Sequence, residues 1–344
     1  MLSGCCTALV TPFKDNSVDY KGLVKLVEFQ LKNRISGILA AGTTGESPTL
    51  TWDEHNKIIE NIAKKTKNKC FCIAGTGSNN TKEALSATDH AASIGVDAVL
   101  LVDPYYNGPS SLEIRKEYIE PVATAFPNVQ IIPYVIPGRT GTLLLPEDLA
   151  MICNRFKNVK AVKEATGDLE NMKRIRNFCG PGFSILSGDD AMTYHMMTDP
   201  EIKADGVVSV ISNIAPDAVA KMVRLLKEGD RTEAKRLAHD LKPLFELVTI
   251  KTIEQTPYGK VTCRARNPLS LKVLMSILGM PSGGCRRPLG KITANGLKII
   301  IETVRNVHNN NPEILSPAAD FFGVNINERL NNPSYLEGTY YEKY

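Results

Sequence analysis

The chain has 344 residues, a formal net charge of +4 and 23% charged residues. That is the composition of an ordinary globular protein, long enough for one large domain with an appendage or for two modest domains. The small charge, without a basic tract or an aromatic-basic stripe, points away from nucleic acid, and apolar runs of strand length only predict no transmembrane helix.

The first residues, Met1-Leu2-Ser3-Gly4-Cys5-Cys6, lack a basic region followed by a long apolar stretch, so no signal peptide is expected. Eight cysteines occur without a single Cys-x-x-Cys pair, which argues against zinc. In a leaderless chain of this size they are expected to be reduced, mostly buried thiols of a cytoplasmic protein.

Apolar strand-like runs alternate with helical patterns from the start. Cys5 to Val10 reads as a strand ending at Thr11-Pro12, followed by an amphipathic helix over Asp19 to Asn33. Next come a strand at Gly37 to Ala40 and a helix at Trp52 to Lys65, with Asp53 and Glu54 in its first turn to suit the macrodipole. Strands at Cys70–Ala74, Asp97–Val102 and Val129–Tyr134 alternate with helices at Thr81–Ile94, Leu112–Phe126 and Pro146–Phe156. Val159 to Lys163 is the sixth strand, with a helix opening at Asp168. Phe183–Leu186 and Asp205–Val210 are the seventh and eighth, with helices at Asp190–Met197 and Asn213–Lys227.

Eight strand-helix units with near-continuously apolar strands predict an α/β fold, a (β/α)8 TIM barrel, over residues 1–227. The competing open, doubly wound sheet would carry a glycine-rich turn after its first strand, and Thr11-Pro12-Phe13-Lys14 stands there instead. Helical segments at Thr232–Leu247, Pro268–Leu278 and Ala294–Val307 predict a C-terminal helical extension over 228–307. Residues 308–344, rich in Asn and Pro and then in Tyr and Glu, predict an irregular tail.

In such a barrel the chemistry collects at the C-terminal ends of the strands. Lys163 closes the sixth strand. Burial disfavours an ammonium, lowers its pKa and frees an amine able to form a Schiff base with a ketone; a lysine that snorkels to solvent or pairs with Glu164 is the structural alternative. After the second strand, Gly42-Thr43-Thr44-Gly45-Glu46-Ser47 offers hydroxyls and backbone N–H groups suited to a carboxylate. After the fourth comes Asp103-Pro104-Tyr105-Tyr106-Asn107. The fifth ends in Tyr134 before Pro137-Gly138-Arg139-Thr140-Gly141, and the seventh in Ser187-Gly188-Asp189-Asp190. Taken singly, these are a common turn, a packed tyrosine pair and a solvated arginine. An amine, a phenol, a carboxylate pocket and a guanidinium converging on one rim are a different matter.

These same motifs, in order from about residue 4 to residue 300, resemble the dihydrodipicolinate synthase family, which also holds N-acetylneuraminate lyase and other pyruvate-dependent class I aldolases. The resemblance implies that Lys163 forms a Schiff base with pyruvate, which is bound covalently with no metal and no organic cofactor. It implies Tyr134 as general acid/base, relaying protons through Thr43 and Tyr106, the latter reaching a neighbouring subunit of a homo-oligomer, a tetramer built from dimers. Thr44 is implied in holding the pyruvate carboxylate and Arg139 in binding the carboxylate of aspartate semialdehyde, where a planar fork matches it bidentately. Gly188 and Val208 complete the implied substrate pocket. The implied reaction is the condensation of the two substrates on the route to diaminopimelate and lysine.

The family's lysine-inhibition site is implied at Ser47, Trp52, His55, Asn79, Glu83 and Tyr105, with His55 otherwise a partly buried structural histidine. Val135 departs from the family, whose members usually carry Asn there, and is expected to change the polarity around Tyr134. Three other readings stay open: a family aldolase acting on a sugar-derived 2-keto acid, against which Arg139 argues; a metal-dependent aldolase, against which the helical placement of His55, His90, His195, His239 and His308 argues; and a non-catalytic lysine sensor that keeps the barrel.

Overall fold

Strand parity builds the barrel. The computed structural model describes residues 2–344. Its first eight long strands are β1 (Gly4–Ala8), β2 (Gly37–Ala40), β3 (Phe71–Gly75), β4 (Ala98–Val102), β5 (Gln130–Val135), β6 (Ala161–Glu164), β7 (Ser184–Ser187) and β8 (Gly206–Ser209). All pair in parallel, and β1 closes the ring by pairing with both β2 and β8. Successive side chains of a strand face opposite ways. Cys6, Leu39, Leu100, Ile132, Tyr134, Ala161, Leu186 and Val208 therefore share one buried cluster inside the barrel. Their sequence neighbours Cys5, Ile38, Val99, Ile131, Val135, Val162, Ile185 and Val207 join the larger layer under the helices. Both faces are covered, which is why the runs read as continuously apolar.

The helices begin where capping predicts. α1 (Tyr20–Lys32) starts on Asp19, whose carboxylate accepts from the Gly22 N–H, and α2 (Trp52–Thr66) on a Thr51/Glu54 capping box. α3 (Thr81–Ser93) follows, and the helix α4 (111–125) contains a π-helical stretch at Ile114–Ile119. α5 (Pro146–Arg155), α6 (Leu169–Cys179), α7 (Thr193–Thr198) and α8 (Pro216–Glu228) complete the ring.

The chain beyond the barrel differs from expectation in two places. The extension holds the helices α9 (Arg231–Glu246), α10 (Leu269–Ile277) and α11 (Ala294–Asn310), but between α9 and α10 an antiparallel hairpin is inserted, β9 (Thr249–Thr256) and β10 (Gly259–Arg266). Residues 308–344 are not irregular throughout. They carry α12 (Ser316–Phe322) and α13 (Ile326–Asn331), and Tyr340–Tyr341 pairs with Ile292–Thr293. Phe321 and Phe322 pack on Phe29 of α1, each with ring centroids 5.2 Å away, and Arg329 donates to the Ser276 and Ile277 carbonyls at the end of α10. The tail thus wraps the surface as two short helices. No helix among the described residues is long and apolar enough to cross a membrane.

Candidate active site

Parity decides where Lys163 points. Ala161 faces the barrel interior and Val162 the helices, so Lys163 faces inward, two residues nearer the C-terminal rim. Tyr134 is its register partner on β5. The lysine Nζ lies 3.8 Å from the centre of the Tyr134 ring. Both side chains are buried, at 5% and 4% exposure. Burial holds the Lys163 amine down at about 7; the Arg139 charge adds to the effect and Asp190 opposes it. Burial pushes the Tyr134 phenol up to about 12, while Arg139 and the Thr43 side chain that reaches it pull it back. A poised amine thus faces a protonated phenol, the pairing that imine chemistry needs.

Gly188 follows β7 and donates its N–H to the Glu164 carbonyl at 2.7 Å. A Cβ there would stand 2.8 Å from the Ala165 methyl and 3.1 Å from both Lys163 Cε and the Glu164 carbonyl oxygen, so a side chain would crowd the lysine. Val208 on β8 lies in the interior cluster with Tyr134 and Leu186. Asp190 is buried and raised to about 6 by that burial; its Oδ2 accepts from the Val210 and Ile211 N–H groups at 2.9 and 3.1 Å.

The turn after β2 is held tightly. Glu46 and Ser47 donate their N–H groups back to the Thr43 and Gly42 carbonyls. Ala41 and Glu46 adopt left-handed φ values of 50° and 58°. Among the described residues no backbone acceptor takes the Thr43 or Thr44 N–H. Thr43 and Arg139 line a cavity of about 190 Å³ together with Tyr134, Leu100 and Ile136. Arg139 sits on a single helical turn, Pro137–Thr140, at the mouth.

The hairpin, not foreseen in the sequence, ends at this mouth. Arg266 donates through both Nη atoms to the Gly138 carbonyl at 3.2 Å. Arg139 Nη2 donates to the Asn267 carbonyl at 2.9 Å, and Asn267 Nδ2 to Thr44 Oγ1 at 3.0 Å. Arg266 and Asn267 carry no motif of their own; the available sign was the β-branched residues of Thr249 to Thr256 before the Pro257-Tyr258-Gly259 turn.

Tyr106, expected to reach a neighbouring subunit, is 87% exposed on the loop after β4. Val135 lies in the layer under the helices, with the buried Glu164 as its register partner.

A second cavity, about 210 Å³, is lined by Ser47, Trp52, His55, Glu83 and Tyr105. Asn79 stands behind it, accepting the Tyr105 N–H at 2.6 Å. His55 Nε2 contacts the Gly75 carbonyl at 2.8 Å, its ring lies edge-on to Trp52, and burial lowers its pKa. Ser47, Pro48, Gly77 and Tyr105 line both cavities and form the wall between them. The five histidines lie on five different helices, and no group of three or more His, Cys, Asp or Glu side chains among the described residues is arranged to hold a metal.

The model of the dihydrodipicolinate synthetase family matches residues 1–306. A 4-hydroxy-tetrahydrodipicolinate synthase from Methanococcus maripaludis strain C5 is 38% identical over 305 residues, covering 89% of this chain and 98% of that protein. The structure of the 4-hydroxy-tetrahydrodipicolinate synthase from the methanotroph Methylacidiphilum fumariolicum SolV superposes with a TM-score of 0.82 at 34% identity, over 93% of this chain and 99% of that one. The synthase of Cyanidioschyzon merolae, solved with lysine bound, gives 0.80 at 35% identity, over 89% and 98% of the two chains. The chain belongs to the dihydrodipicolinate synthetase family.

Proposed function

We propose that this chain condenses pyruvate with L-aspartate 4-semialdehyde, the reaction of a 4-hydroxy-tetrahydrodipicolinate synthase. The observation that carries the reading is the buried, poised amine of Lys163 against the Tyr134 phenol, in a family whose members at 38% identity bear that name.

Lys163 attacks the pyruvate ketone and water leaves, giving an iminium. The iminium draws electrons from the methyl group, which loses a proton to give the enamine. Tyr134, its phenol proton retained by burial, moves protons to and from the reacting atoms, with Thr43 as its partner. The N–H groups of Thr43 and Thr44 hold the pyruvate carboxylate. The enamine attacks the aldehyde, Arg139 receives the second substrate's carboxylate, and cyclisation frees the lysine. Protein side chains and backbone supply every group in this scheme.

Tyr106, exposed on its loop, serves the site of a second copy, so the working form is a homo-oligomer, a tetramer built from dimers. The second cavity takes L-lysine: Glu83 offers a carboxylate to its ammonium, and Trp52 and His55 offer an aromatic wall.

Borohydride reduction with pyruvate, read by intact mass and peptide mapping, tests the reading. A pyruvate-sized adduct on Lys163, absent without pyruvate, followed by turnover with aspartate semialdehyde but not with sugar-derived aldehydes, is the expected result. No adduct, or one on another lysine, would overturn it in favour of a non-catalytic sensor.

A further inference from the structure

A fully buried ion pair lies beside the turn after β2 and takes no part in the scheme above. Lys272, in the first turn of α10, donates to Glu46 Oε1 at 2.6 Å, and both side chains have 0% exposure. The same Nζ donates to the Thr11 carbonyl at 2.9 Å and stands 4.2 Å from the Phe13 ring centre. The other carboxylate oxygen, Oε2, accepts the Arg286 N–H at 2.9 Å.

A buried ion pair is weak evidence for stability, because desolvation of both ions offsets their attraction and an apolar pair of similar size often serves as well. Its position suggests another role. Glu46 is two residues past Thr44 and is held in left-handed backbone, φ 58° and ψ 36°. Its N–H closes the turn on Thr43. The segment that supplies Lys272 also supplies Asn267, which grips the Thr44 hydroxyl. Thr11, which receives Lys272 on its carbonyl, donates its hydroxyl to the Gly45 carbonyl at 2.7 Å. One helix and its leading residue therefore fasten the turn at Thr44, at Glu46 and, through Thr11, at Gly45.

We propose that Lys272 is a positioning residue for pyruvate: through Glu46 and Thr11 it sets where the turn presents the Thr43 and Thr44 N–H groups to the substrate carboxylate. The inference rests on the proposed reaction. With the lysine removed, Glu46 loses its charged partner and keeps the Arg286 N–H, the left-handed turn relaxes and the carboxylate site loosens, while Lys163, Tyr134 and Arg139 stay in place.

The test compares Lys272→Met with the double variant Lys272→Met/Glu46→Gln, which removes both charges. Pyruvate-dependent borohydride trapping, KM for each substrate, kcat and thermal melting are measured in the full chain. The expected result is a rise of about tenfold or more in the pyruvate concentration for half-maximal trapping and in KM for pyruvate. KM for aspartate semialdehyde and kcat at saturating pyruvate should stay within about threefold, and the double variant should melt near the parent while keeping the weak pyruvate binding. A folded variant that traps pyruvate at the parental concentration overturns the proposal. So does a parallel loss in both KM values and kcat, or a double variant that does not fold, since either assigns the pair to the scaffold alone. A parent chain that traps no pyruvate would instead sink the proposed reaction.

Discussion

Tyr134 and Lys163 are register partners on adjacent strands, and the lysine amine stands 3.8 Å from the centre of the tyrosine ring. The contact is made inside the barrel, out of water, and that location sets the lysine at about 7. An ordinary lysine would be only roughly 0.4% neutral at pH 8; this one is mostly neutral there. The sign follows directly. Below about pH 7 the ammonium dominates and cannot attack, and above it the amine is free. The rate of pyruvate trapping should therefore rise through pH 7 and level off by about pH 8, whereas a simple alkylamine measured alongside should keep climbing to about pH 10. A profile that tracks the alkylamine would refute the lowered pKa.

Tyr134→Phe keeps the ring against the lysine and removes the proton. General acid–base catalysis contributes about 10²- to 10⁴-fold, so kcat should fall by about that range. The Lys163 adduct should still form on prolonged incubation, since the amine is untouched. Near-parental kcat would remove Tyr134 from the proton path.

The barrel was legible because its strands are buried on both faces and most of its helices open on a side-chain cap or a first-turn proline, so strand and helix ends fall within a few residues of those the pattern implies. Lys163 was legible for the same reason, as a lysine terminating an apolar strand. The hairpin was not. Thr249 to Thr256 alternates between buried and exposed positions, a weak pattern wedged between two strong helices. Nor did any pattern join Lys272 to Glu46 or Asn267 to Thr44, separated by more than two hundred residues. The tail's helices are six or seven residues long, too short for helical periodicity to register. Parity, once the strands are known, also explains why Val135 faces the helices: its neighbour Tyr134 occupies the inward position.

Arg266 ties the hairpin to the turn that carries Arg139. It donates twice to the Gly138 carbonyl, next to Arg139, whose own guanidinium rests on the Asn267 carbonyl. Arg266→Ala should raise KM for aspartate semialdehyde by about three- to tenfold, with Lys restoring part of the loss, and leave pyruvate trapping unchanged. Arg139→Ala should raise the same KM further, since it would remove the proposed carboxylate contact itself. Steady-state kinetics with each substrate varied in turn would decide, and an unchanged aldehyde KM in Arg266→Ala would make the contact incidental.

Gly188→Ala places a methyl 3.1 Å from Lys163 Cε and 2.8 Å from Ala165 Cβ. The backbone there needs no left-handed φ, so the conflict is one of space, with the lysine, with Ala165 and with the Glu164 carbonyl oxygen 3.1 Å away. Trapping at Lys163 should slow by about tenfold or more while the melting temperature drops by only a few degrees. Unaltered trapping would mean that the lysine has room to move aside.

The two cavities share the wall formed by Ser47, Pro48, Gly77 and Tyr105. Ser47 directly follows Glu46 in the turn expected to hold pyruvate. A ligand in the second cavity is thus one wall away from the first, and a carboxylate and an indole are what a free amino acid with a charged side chain requires. Glu83 accepts the Ser78 hydroxyl at 2.5 Å within that cavity. Isothermal titration with millimolar L-lysine should show binding and turnover should fall, and Glu83→Gln should weaken both by about tenfold or more while leaving uninhibited kcat near the parent. By linkage, pyruvate binding must alter lysine affinity by the same factor that lysine alters pyruvate affinity. The titration repeated at saturating pyruvate measures that factor. No heat and no inhibition under either condition would exclude lysine from the second cavity.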